Sequence, residues 1–136
     1  MNTKLLMSAS AVTLAITGLL LTFLPQELLA YFTVGHSEPL ILGAQLLGAL
    51  YLSFALLNWM AKGNLIGGIY SRPVAIGNFM HFMMGGLIFI KLTLKSSATP
   101  ELIAITVLYC LFAMLFGIVT FTHPAARENN ARAQTA

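Results

Sequence analysis

The side chains able to do chemistry in this sequence are few, and most of them stand inside apolar stretches. His81 lies between Met80 and Phe82, and Asn78 precedes it by three residues. At helical spacing those two side chains face roughly the same way. Tyr51, Asn58 and Lys62 fall on one helical stripe with Ala55 between them, and Gln45 lies further upstream. Arg72 stands immediately before Pro73. An imidazole beside carboxamides offers hydrogen bonds, a ligand contact or a proton stop. General acid–base catalysis would also want a carboxylate nearby. All four acids, Glu27, Glu38, Glu101 and Glu128, fall outside the apolar stretches or at their ends.

Other chemistries are harder to build. A single cysteine, Cys110, cannot form an intramolecular disulfide or a CxxC pair. His36, His81 and His123 are too far apart in helical depth for a bis-histidine haem within one bundle. Glu27, His36 and Glu38 are metal-ligand types without a metal-site spacing. No phosphate-binding glycine loop, HExxH or GxSxG elbow occurs. The sequence therefore leads us to expect no catalytic residue, no metal and no cofactor.

The elements that must position these groups follow from composition. Of 136 residues, 58% are hydrophobic and 8% charged, against about 25% charged in ordinary soluble domains. Mean hydropathy is +0.86. Eleven Lys, Arg and Glu side chains in all cannot cover a water-facing surface. The net charge of +3 is spread thinly, with no basic stripe for nucleic acid. Four apolar segments stand out, at about residues 5–24, 40–60, 73–94 and 100–121. Each is about 20 residues, the length of a helix that crosses a bilayer. None alternates with period two, which disfavours a β-barrel. The expected fold is all-α: a transmembrane four-helix bundle over residues 1–124, followed by a polar tail, 125–136. The first segment is longer than the apolar core of a signal peptide and is read as a retained helix.

Local signals support these bounds. Thr99-Pro100-Glu101 reads as an N-cap, a proline in the first turn and an acid on the helix dipole. Pro73 opens the third segment similarly. Lys62-Gly63 reads as a terminal cation with a glycine C-cap. His123-Pro124 closes the fourth segment, and residues 26–39 read as a solvated outer loop. With four spans, Lys4, Lys62, Arg72, Arg127 and Arg132 share one side and Lys91 and Lys95 lie toward the other. The excess of cations gives an N-in, C-in orientation. Trp59 and Tyr70 then sit at the inner interface, and Phe23, Tyr31 and Phe32 at the outer one.

Small residues lie in stripes that allow close helix approach. They are Ala11, Ala15, Gly18 and Thr22; Ala44 with Gly48; Ala49 with Ser53; Gly77, His81 and Gly85; and Thr106, Cys110, Ala113, Gly117 and Thr120. These serve packing within the bundle or a self-association face.

Residues 57–82 read LNWMAKGNLIGGIYSRPVAIGNFMHF, and FTHP closes the last segment at residues 121–124. Together they resemble a recurring type of small four-helix integral membrane protein of bacteria. In size and span count the chain is also loosely similar to DoxX-like proteins. The resemblance implies a four-helix membrane bundle and carries no activity or catalytic residue with it; size and composition point to a bacterial inner membrane. Read physically, Lys62, Asn64, Tyr70, Ser71 and Arg72 rim a short loop whose Leu65, Ile66 and Ile69 dip toward the interface. Arg72 can meet an anionic headgroup there.

The sequence thus points to a non-catalytic protein that binds a lipid or another apolar molecule, or an accessory protein of the membrane. Asn58, Asn78 and His81 would line the polar spot and Arg72 its inner rim. Its expected partners are membrane lipids, and a homo-oligomer or another membrane protein. The alternative is a homo-oligomeric transporter or channel for a small solute. A reporter that is active only in the cytoplasm is expected to work when fused after Ala136 and to be silent in the loop before residue 38. The reverse pattern would overturn the charge argument.

Overall fold

Proline and the helix caps divide the chain. The computed structural model describes residues 2–32, 35, 37–63, 71–95 and 99–121. Among them the chain is all-helical: α1 (Thr3–Phe23), α2 (Pro25–Tyr31), α3 (Glu38–Ala61), α4 (Arg72–Lys95) and α5 (Pro100–Phe121). All but α2 are long and apolar enough to cross a membrane. His36, Glu128, residues 64–70, and the His123-Pro124 ending with its tail lie outside the described residues.

Asn2 caps α1, its side-chain oxygen accepting from Leu5 N at 3.2 Å. Pro25 then ends α1. Its ring disfavours helical backbone at Leu24, which sits at φ −125° and ψ 42°. The same proline serves as the first residue of α2, and Glu27 lies in that first turn. The segment read as an outer loop therefore begins with a two-turn helix. Its start carries the proline-plus-acid pattern also seen at Pro100-Glu101. Pro39 sits in the first turn of α3 behind Ser37. Ser71 O accepts from Ala75 N at 3.2 Å to begin α4. Thr99 caps α5 twice: Leu102 N donates to its Oγ1 at 3.4 Å and Ile103 N to its carbonyl at 3.0 Å. One expected stop differs. Lys62, in right-handed helical geometry, is the C-cap of α3, and Gly63 is not in the left-handed region. The Lys62 ammonium instead lies over the Trp59 ring, 2.8 Å from its centroid.

The chain divides into two compact units, Met1–Gly63 and Asn64–Ala136. In the first, α1 packs antiparallel on α3, and α2 touches both. The small-residue stripes make this contact. A Cβ on Gly18 would lie 2.9 Å from the Gly48 carbonyl oxygen. A Cβ on Gly48 would run into the Thr22 hydroxyl and come within 2.7 Å of Thr22 N. Backbone meets backbone here, so neither glycine has room for a side chain. Gly43, one turn and a little earlier on α3, faces open space.

In the second unit α4 packs on α5, mainly through rings. Phe82 is fully buried and stacks on Phe112 and Phe116, with centroids 4.7 and 5.7 Å away. Phe79 meets Phe121 edge-on at 5.5 Å and covers Gly117. Gly86 faces Cys110 at ordinary contact distance. The thiol is thus part of the packing stripe, as its spacing suggested.

Hydroxyls in apolar helices need an acceptor, and here the helix itself supplies it. Thr13, Thr17, Ser53, Thr93, Thr106 and Thr120 each donate to the carbonyl four residues back, at 2.7–2.9 Å. Thr22 is different: its buried Oγ1 has no hydrogen-bond partner among the described residues. It is pressed against Gly48 instead.

Gly48→Val is expected to destabilise the first unit by about 1–3 kcal/mol, the cost of overpacking against backbone. Gly43→Ala is expected to be neutral or to stabilise by about 0.5–1 kcal/mol, because glycine weakens a helix interior. Thermal unfolding of both variants in the same detergent, followed by helicity, tests the contrast. Equal effects would mean that the α1–α3 contact lies elsewhere.

Candidate functional site

The candidate residues fall in both units. Asn58 belongs to the first. Buried positions on α3 are Gly48, Tyr51, Ala55 and Asn58, the stripe read from spacing, with half-buried Lys62 continuing it. Asn58 is wholly buried, as is Ser10 on α1. Asn58 Nδ2 donates to Ser10 Oγ at 3.0 Å, and Ser10 donates onward to Met7 O at 3.0 Å. A carboxamide, a hydroxyl and a backbone carbonyl thus form a short relay across the α1–α3 contact. Such a relay ties two helices together where water is absent. Ser10 was not among the residues picked out from the sequence. Its position is set by α1, where Met7, Ser10, Ala11, Leu14 and Gly18 are buried together.

Asn78, His81 and Arg72 belong to the second unit, all on α4. Asn78 is wholly buried and its Nδ2 donates to Val74 O, one turn back, at 2.9 Å. His81, ten residues into α4, is half-buried. Its ring lies 5.0 Å from Phe82 edge-on and 5.8 Å from Tyr109. Tyr109 is the ring it meets on α5. Gly85 makes this contact possible, because a Cβ there would lie 2.7 Å from the Tyr109 ring. Phe89 closes on Tyr109 from the other side at 4.9 Å. His81 is therefore set in an aromatic wall of α4 and α5. Arg72, in the first turn of α4, is exposed.

A second polar contact joins the same two helices nearer their other end. The Thr93 and Thr106 hydroxyls lie 3.1 Å apart, close enough for either one to turn its single proton from its own helix carbonyl to the other oxygen. Thr106 stood on the small-residue stripe of the last segment, but its partner required knowing the α4–α5 register. Gln45, two turns into α3, is exposed. Among the described residues no three of His, Cys, Asp and Glu gather as a metal site.

Chemically, the first unit offers a paired amide and hydroxyl. The second offers an imidazole edge in an apolar, aromatic surround. Among the described residues of its unit no carboxylate lies next to the imidazole: Glu101 is at the first turn of α5, while His81 is mid-way along α4.

No protein-family model matches the chain, and neither a curated protein nor a solved structure matches it. The resemblance of residues 57–82 and 121–124 to small bacterial membrane proteins gains no support there, nor does the likeness to DoxX-like proteins. What the residues can do follows from their geometry.

The Asn58–Ser10 bond is open to a double-mutant cycle. Asn58→Leu and Ser10→Ala, alone and together, are expected to show a coupling of about 0.6 kcal/mol, and at most about 1.7 kcal/mol, the range found for interhelical hydrogen bonds in membranes. Additive effects would show that the bond contributes nothing to the α1–α3 contact.

Proposed function

We propose that this chain is a multi-pass protein of a cell membrane, a bacterial inner membrane by its size and composition. On this reading it is a non-catalytic binding or accessory protein for a lipid or another apolar molecule. Both ends of the four-span bundle face the cytoplasm, and residues 125–136 form a polar cytoplasmic tail. What supports the membrane reading is surface: Leu5, Phe23, Leu42, Leu56, Met60, Ile88, Leu94 and Phe121 are among many large apolar side chains left exposed. At most a third of the apolar stretch in any long helix is buried. Contiguous apolar surface on that scale marks contact with an apolar phase.

The observation that carries the binding reading is His81. A half-buried imidazole among Phe82 and Tyr109 suits a mostly apolar ligand with one polar atom. Polar side chains at membrane depth otherwise mark functional positions. Asn78, one turn before it, lies on the same helix, and exposed Arg72 suits an anionic headgroup at the helix end. Asn58, in the first unit, is a candidate ligand contact of its own, and its amide also serves the α1–α3 contact.

A second reading rests on α3. Gln45, Ala49 and Ser53, spaced four apart, are all exposed. A stripe of small and polar residues on an otherwise apolar helix suits helix–helix association. It favours a homo-oligomer, with transport or conduction of a small solute as its use.

Native mass spectrometry of the gently extracted chain is expected to retain a lipid or apolar mass, and His81→Leu is expected to lower that retention. Unchanged retention in His81→Leu removes the imidazole from the binding site. Protein-dependent solute flux in proteoliposomes would favour the oligomeric reading instead.

A further inference from the structure

The first unit carries a groove that the candidate residues do not use. It runs between α1 and α3 and has a volume of about 370 Å³, within the range of about 300–1,000 Å³ typical of ligand sites. Ala11, Ala15 and Ala55 form its floor, and Val12, Leu56 and Trp59 stand along its edges. Ala11 and Ala55 are buried, whereas Val12, Leu56 and Trp59 are 49%, 61% and 50% exposed. Three alanines hollow the contact where larger residues would fill it, and the rim stays open. The lining is almost wholly hydrocarbon.

One end of this groove is charged. Trp59 lies at that end, and the Lys62 ammonium rests on its ring. Lys4, on α1, is at the same end of the antiparallel pair and is exposed. The acids of this unit are at the far end. Glu38 begins α3 and Glu27 lies on α2 beyond the last turn of α1, while α3 with its 24 residues is about 36 Å long. An apolar slot with cations at one mouth and, among the described residues of this unit, no acid beside them is complementary to an amphiphile with an anionic head. Tryptophan beside lysine at a helix end is also how a span meets the headgroup layer.

We propose that the α1–α3 groove holds one acyl chain of an anionic membrane phospholipid, with the lipid phosphate drawn to the Lys62 ammonium. The proposal rests on the membrane reading above and gives it a ligand class and a place. It is independent of His81. Lys62 exchanges a ring face for a phosphate, and Trp59 remains packed against the upper part of the chain.

Trp59 is the sole tryptophan, so the chain carries its own reporter. The full-length protein is reconstituted in two vesicle compositions. One has acyl-brominated phosphatidylglycerol in plain phosphatidylcholine, and the other has acyl-brominated phosphatidylcholine in plain phosphatidylglycerol. Bromine quenches Trp59 only on contact. At equal mole fraction the brominated phosphatidylglycerol is expected to occupy the site about fivefold more strongly, since one cation near the surface is worth about 1 kcal/mol. Lys62→Gln is expected to abolish the preference and Lys62→Arg to keep it. Ala55→Leu, or Val12→Phe at the rim should the first variant not fold, fills the groove with Lys62 in place and is expected to abolish it too. Equal quenching by the two lipids in the unaltered protein would overturn the anionic preference while leaving the membrane reading intact. A preference that survives both groove-filling variants would put the lipid outside the groove and overturn the site. Quenching by neither lipid would overturn the groove and the membrane reading together.

Discussion

One constraint governs most of the described helices: with apolar surfaces, they can leave few polar groups without partners, and the Thr22 hydroxyl packed at Gly48 is an exception. A helix closes its own backbone hydrogen bonds, which leaves only caps and side chains to satisfy. The caps are met by Asn2 at α1 and by Thr99 at α5. The hydroxyls of Thr13, Thr17, Ser53, Thr93, Thr106 and Thr120 turn back onto their own helices. The buried amide of Asn58 finds Ser10 across the helix contact. With polar groups turned inward or satisfied locally, the outer faces are free to be hydrocarbon.

The same constraint shapes how helices meet. When the surroundings are as apolar as the side chains, burying leucine against leucine gains little, and close backbone approach with dispersion contacts must hold helices together. The first unit does this with Gly18 and Gly48, where Thr22 fills the remaining space. The second uses rings, with Phe82 at the centre of a stack and Gly85 giving room to Tyr109. Small residues therefore do two different jobs. In α1 and α3 they bring backbones together, and the alanines among them leave a groove. In α4 they seat an aromatic side chain that in turn walls His81.

Much of the fold was legible because span length and apolarity are set by simple dimensions. The four long helices lie within about two residues of the apolar segments, and the Thr99-Pro100-Glu101 start is as its residue types imply. The short α2 was missed because seven residues show too little apolar run to register, although Pro25 and Glu27 carry a start signal. Gly63 misled because a glycine after a terminal cation usually adopts left-handed backbone, whereas here Lys62 caps α3 and folds onto Trp59. For the site, the stripes placed Tyr51, Ala55 and Asn58 together. Ser10 as the partner of Asn58, Thr93 as the partner of Thr106, and the groove beside Trp59 all depend on which helices pair and in what register. One sequence holds the face of each helix but not the identity of the neighbour.

The central claim is that the outer faces of these helices are solvated by hydrocarbon. Sedimentation velocity of the purified full-length chain, before and after detergent is removed, measures this directly, with helicity recorded alongside. The account predicts a single helical species in detergent and large aggregates once it is gone. A monodisperse, fully helical species persisting in plain buffer would contradict it.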